Sequence, residues 1–87
     1  MTHKVIIKNM SFNPRVLKIK KGDEVYWSNE DSAMHTASRD DDPKFDTGEI
    51  SGKTDSKTIQ FNDASTDRGF SYICRPHAFM RGTIVVS

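Results

Sequence analysis

Apolar and polar residues alternate along most of this chain with a period of two, the period of a strand with one buried face. In residues 15–20, Leu17 and Ile19 point one way while Lys18 and Lys20 point the other. In residues 24–29, Val25 and Trp27 oppose Glu24, Tyr26 and Ser28. The same reading predicts strands over residues 4–9, over 57–61 through Ile59 and Phe61, over 69–74 and over 82–86, with a shorter one within 45–50. Lys21-Gly22-Asp23 and residues 62–68 are turn material, and no segment keeps helical spacing. From Glu30 to Asp55 the alternation dissolves into Ser, Thr, Asp and Gly with a single Pro43. Loops of that length in a compact domain are usually functional or mobile. Six to eight short strands with frequent turn signals predict an all-β sandwich or small barrel, without internal repeats.

A chain of 87 residues has room for one domain, spanning 1–87. Its 13 basic and 12 acidic residues leave a net charge of +1, which offers nucleic acid or an anionic membrane no broad attraction. Val5-Ile6-Ile7 and Ile84-Val85-Val86 are far shorter than the ~20 apolar residues a spanning helix needs. The first residues lack the apolar core of a secretory signal, so the chain reads as cytosolic or as a mature form numbered from an added start. Cys74 is the single cysteine and cannot form an internal disulfide, so packing or a bound metal must hold this small core.

That cysteine opens the most informative cluster, Cys74-Arg75-Pro76-His77-Ala78-Phe79-Met80, with ligand types at positions i, i+3 and i+6 directly after an apolar strand. The spacing suits a tight loop that wraps its side chains around one point, with Pro76 fixing the turn. Zinc takes Cys, His and carboxylate but has little use for Met, whereas copper accepts thiolate, imidazole and thioether together. The second imidazole would come from His35, at the mouth of the long polar loop, because loops at one end of a sandwich converge. His35, Cys74 and His77 then form a trigonal set with Met80 as a weak axial ligand, the composition of a type 1 copper centre holding one copper ion.

The stretches Met10-Ser11-Phe12-Asn13-Pro14 and Leu17 to Asn29 (LKIKKGDEVYWSN), with Tyr72-Ile73-Cys74-Arg75-Pro76-His77-Ala78-Phe79-Met80-Arg81-Gly82, resemble small cupredoxins of the plastocyanin and amicyanin type. The two-residue gaps on either side of His77 are similar to the amicyanin ligand loop. The resemblance implies a Greek-key β-sandwich of about seven to eight strands and a soluble electron carrier, not an enzyme, working in the periplasm. Two positions depart from the pattern. Many relatives place Asn after the first His and a hydroxyl residue after the Cys, side chains that tie the ligand loops together; here stand Thr36 and Arg75, so the tie is expected to be weakened. A guanidinium beside the metal is expected to disfavour Cu(II).

Electron exit is expected through His77, with redox protein partners docking near His77, Phe79 and Met34 on a monomer. The Thr36 backbone N–H can donate to the thiolate, and Pro76 has no N–H to do so. Copper storage or delivery through the same ligands is the alternative function. An enzymatic reading, with Cys74 as nucleophile and His35 or His77 as base, lacks any oxyanion device. A structural zinc site would need an Asp beside His35, Cys74 and His77. His3 reads as a solvated surface residue and Asp40-Asp41-Asp42 as a solvated triplet. Trp27, Phe12, Phe61, Phe70 and Tyr72 read as core.

Overall fold

Nine strands, and no helix, make up the computed structural model, which describes residues 1–87. They are β1 (Thr2–Lys8), β2 (Ser11–Asn13), β3 (Val16–Ile19), β4 (Glu24–Asn29), β5 (Ser38–Arg39), β6 (Phe45–Asp46), β7 (Ile59–Gln60), β8 (Phe70–Ile73) and β9 (Arg81–Val86). One sheet has the order β2-β1-β4-β7 and the other β3-β9-β8-β5-β6. Each sheet is knitted by one parallel pair of strands distant in sequence, β1 with β4 and β3 with β9, the remaining pairs being antiparallel. This is a Greek-key β-sandwich.

The alternation read from the sequence faces as expected: Val25 and Trp27 are fully buried while Glu24, Tyr26 and Ser28 are partly exposed. Two strands escaped the pattern, β2 and β5, of 3 and 2 residues. Each is too short for a period of two to stand out in the sequence, and each is held by a neighbouring strand that offers it a ladder: β2 on β1, β5 between β6 and β8. Residues 45–50 form only β6, and Ile50 instead makes an isolated bridge to His35.

An aromatic column joins the sheets. Trp27 meets Tyr72 edge-on with ring centroids 5.4 Å apart, Phe45 stacks on Trp27 at 5.9 Å, and Phe12 packs against Tyr72 at 4.7 Å. The indole N–H of Trp27 donates to the Tyr72 hydroxyl at 3.2 Å. Burying one such aromatic removes ~150–250 Å² from water, about 4–6 kcal/mol at ~25 cal/mol/Å², against ~1 kcal/mol net for the hydrogen bond. Burial therefore sets the position of the column, and the hydrogen bond its orientation. Phe12, Phe61, Phe70 and Tyr72 all lie in this core, as their residue types suggested.

His3 is not the solvated residue its terminal position suggested. The parallel register places His3 opposite Val25, and its Nε2 meets the Asp23 carboxylate at 2.9 Å. Asp23 also accepts the Lys20 N–H at 3.1 Å and the terminal amine at 3.2 Å. The bond from His3, then the one from the Lys20 amide, hold its carboxyl down to about 2.

Candidate metal centre

The segment after β4 turns on Asn29, which is 1% exposed. Its amide donates to the carbonyls of Ala33 at 2.8 Å and Ile50 at 3.0 Å, and its oxygen accepts the Asp31 N–H at 2.9 Å. These bonds deliver His35 to the end of the sandwich. There its backbone is held on both sides by Ile50, N–H to O at 3.1 Å and O from N–H at 2.7 Å. The second segment closes on itself after β8: His77 N–H donates to Cys74 O at 3.1 Å, Met80 N–H to His77 O at 2.8 Å, and Cys74 N–H to Met80 O at 3.2 Å. Two successive turns of this kind wrap positions i, i+3 and i+6 around one point, the loop that the Cys-x-x-His-x-x-Met spacing predicts.

His35, Cys74 and His77 meet there. Nδ1 of His35 lies 3.5 Å from Cys74 Sγ and Nδ1 of His77 lies 3.6 Å from it, all three donor atoms being within 4.8 Å of one another. Metal–nitrogen bonds of ~2.0 Å and metal–sulfur bonds of ~2.3 Å, opening between tetrahedral and trigonal angles, would set N and S ~3.5–3.7 Å apart. The two observed N–S spacings therefore match those of a metal ion bound between the imidazoles and the sulfur. His35 and Cys74 are fully buried and His77 is partly exposed, so the cluster is dry on one side and meets the surface on the other. Met80, 2% exposed, ends the loop with its backbone bonded to both Cys74 and His77.

Several neighbours hold these donors in place. Asp31 accepts from Nε2 of His35 at 3.0 Å, which fixes the ring tautomer and leaves Nδ1 free to coordinate. The same carboxylate accepts the N–H groups of Asn9 at 2.8 Å and Met10 at 3.0 Å, in a turn where both residues have positive φ. Burial pushes the Asp31 carboxyl up, but the bonds from Met10, Asn9 and His35 outweigh it and hold it below the usual carboxylate range. Thr36 N–H donates to Cys74 Sγ at 3.4 Å. Sequence reasoning did not single out Asn29 or Asp31. The signal available was an Asp four residues before the candidate ligand His.

The tie between the ligand loops, expected to be weakened, is present by another route: the Thr36 hydroxyl accepts the backbone N–H of Arg75 at 2.9 Å. Nor does the Arg75 guanidinium stand alone as a positive charge beside the site. It donates to Asp40 at 2.8 Å and to Asp46 at 3.3 Å, which offset its field. Asp40 is therefore an ion-pair partner rather than a purely solvated member of its triplet.

The competing readings of the cluster lose ground on the same geometry. Asp31 sits on the far nitrogen of His35, so no carboxylate joins the three donors as a zinc set would require. The Cys74 sulfur is fully buried and lines none of the surface cavities, which leaves a nucleophile no access to substrate. Phe79 is 71% exposed and its ring lies 6.2 Å from that of His77; Met34 is 36% exposed.

Residues 1–87 match the family described as copper binding proteins of the plastocyanin/azurin family. Amicyanin-alpha of Methylorubrum extorquens is 31% identical over 85 residues, covering 94% of this chain and 69% of the relative. Amicyanin of Paracoccus versutus is 32% identical over 84 residues, covering 92% of this chain and 61% of the relative, so the chain spans less than two thirds of that protein. The crystal structure of Paracoccus versutus amicyanin superposes with a TM-score of 0.83 at 30% identity, over 97% of this chain and 79% of that one. A Cu(I) form of an amicyanin variant superposes with a TM-score of 0.86 at 26% identity, over 97% and 80%.

Proposed function

The chain belongs to the plastocyanin/azurin family of copper-binding proteins, and from that premise we propose that it is a type 1 copper electron carrier whose ligands are His35, Cys74, His77 and Met80. The observation that carries this reading is the convergence of two imidazole Nδ1 atoms on one buried sulfur at 3.5 and 3.6 Å. Copper bound there supplies a one-electron Cu(I)/Cu(II) couple. The chain's own contribution is a frame that does not relax between the two states. Asp31 and the Ile50 bridge fix the His35 ring, the two turns of residues 74–80 fix the other donors, and burial of His35, Cys74 and Met80 excludes reorganising water. The Thr36 N–H withdraws charge from the thiolate, which favours the reduced state.

Electrons leave through His77, the partly exposed ligand, into a redox protein that docks on Met34, His77 and Phe79. The domain 1–87 works as a monomer in the periplasm. Reconstitution with Cu(II) tests the assignment. An intense thiolate-to-copper absorption, a reversible midpoint potential and fast self-exchange are expected. A colourless copper complex, or copper that passes rapidly to an acceptor chelator, overturns electron transfer in favour of copper handling.

A further inference from the structure

The polar groups around Thr36 form a closed circuit whose direction follows from counting hydrogens. Ser38, 1% exposed, donates its single hydroxyl hydrogen to the Asp46 carboxylate at 2.9 Å. The 3.0 Å contact between the Thr36 and Ser38 hydroxyls must then be donated by Thr36. With its hydrogen so used, Thr36 Oγ1 offers a lone pair to the Arg75 backbone N–H at 2.9 Å. The Arg75 side chain returns to the start, its Nε donating to Asp46 Oδ2 at 3.3 Å. Donation thus runs from the Arg75 amide through Thr36 and Ser38 to a carboxylate, and each bond polarises the next. Strand pairing holds the ring: Ser38 stands opposite Asp46 on one side and Ile73, next to Cys74, on the other.

Resting on the copper reading above, we propose that Ser38 and Asp46 are positioning residues that hold the Thr36 amide on the Cys74 thiolate. The backbone and hydroxyl of Thr36 belong to one residue, so fixing the hydroxyl at both ends fixes the N–H that meets Sγ at 3.4 Å. The buried hydroxyls carry the effect. Both ion pairs of the Arg75 side chain, with Asp40 and with Asp46, are solvent-exposed on each side and add little.

The test uses Ser38→Ala and Thr36→Val, which break the ring without changing charge, and Thr36→Ser, which keeps it. In metal-free protein, amide hydrogen exchange at Thr36 should quicken in the first two variants and stay slow in the third. Exchange at the His35 amide, bonded to Ile50, serves as the reference for general loosening. In copper-loaded protein the same two variants should shift the thiolate-to-copper band and lower the midpoint potential, with copper affinity falling about 10–100-fold, as for supporting groups elsewhere. Ser38→Ala with wild-type exchange at Thr36 and an unmoved band overturns the proposal, as does equal quickening at Thr36 and His35. A wild-type protein with no thiolate-to-copper band overturns the copper reading instead, and the exchange comparison still decides the ring.

Discussion

Asp31 Oδ2 sits 3.0 Å from Nε2 of His35, and the same carboxylate gathers the amides of Asn9 and Met10. One side chain thus orients the His35 ring and pins the left-handed turn between β1 and β2, so the edge of one sheet and the candidate metal centre are set together. Asp31→Ala should therefore weaken copper binding about 10–100-fold. It should also destabilise the metal-free fold, since two turn amides lose their acceptor. Competition with a chelator of known affinity and chemical denaturation of apoprotein measure the two effects. Wild-type values for both would show that the carboxylate orients nothing.

Phe79 stands 71% exposed beside His77 and contributes nothing to the core, so its removal isolates docking from metal binding. Phe79→Asp should slow electron exchange with a redox protein in stopped-flow measurements while the visible spectrum keeps its position and intensity. Equal rates in variant and parent would place the exit elsewhere.

Pro76 has no N–H, which leaves the Thr36 amide as the backbone donor observed on the thiolate. Pro76→Ala supplies a second candidate donor, which would stabilise a less charged sulfur and hence Cu(I). The midpoint potential should rise; an unchanged or lower value in voltammetry counts against the argument.

Gly82 faces the aromatic column from β9, opposite Tyr72 in β8. A Cβ at this position would lie 2.4 Å from the Tyr72 ring, and Trp27 and Phe12 hold that ring against retreat. Gly82→Ala should cost about 1–3 kcal/mol, as overpacked cores do, read as a lower denaturant midpoint at constant m-value. A midpoint matching the parent would mean that the column is free to shift.

Acid should reveal Asp23. Its folded pKa of about 2 lies below the ordinary 3.8, so protons bind the unfolded chain more readily. The stabilisation is fully present above about pH 4 and is lost as pH falls toward 2. Asp23→Asn removes this one contribution. The stability gap between parent and variant, followed by denaturation at successive pH values, should close across that window; a constant gap would contradict the assignment.

Two kinds of information were separable in this chain. Residue alternation wrote the buried faces of β3, β4 and β8 and the aromatic core into the sequence, because a strand's inward face depends on nothing beyond its own period of two. The loop of Cys74, His77 and Met80 was equally local, three ligand types within seven residues. The polar partnerships were not local. His3 meets Asp23 because β1 pairs in parallel with β4, and Thr36 ties to Arg75 across 39 positions because β5 slots between β6 and β8. Hydrophobic burial selects which face turns inward. Which hydroxyl or carboxylate then meets which amide is decided only when strand register fixes distances to a few tenths of an ångström, and no one-dimensional pattern carries that register.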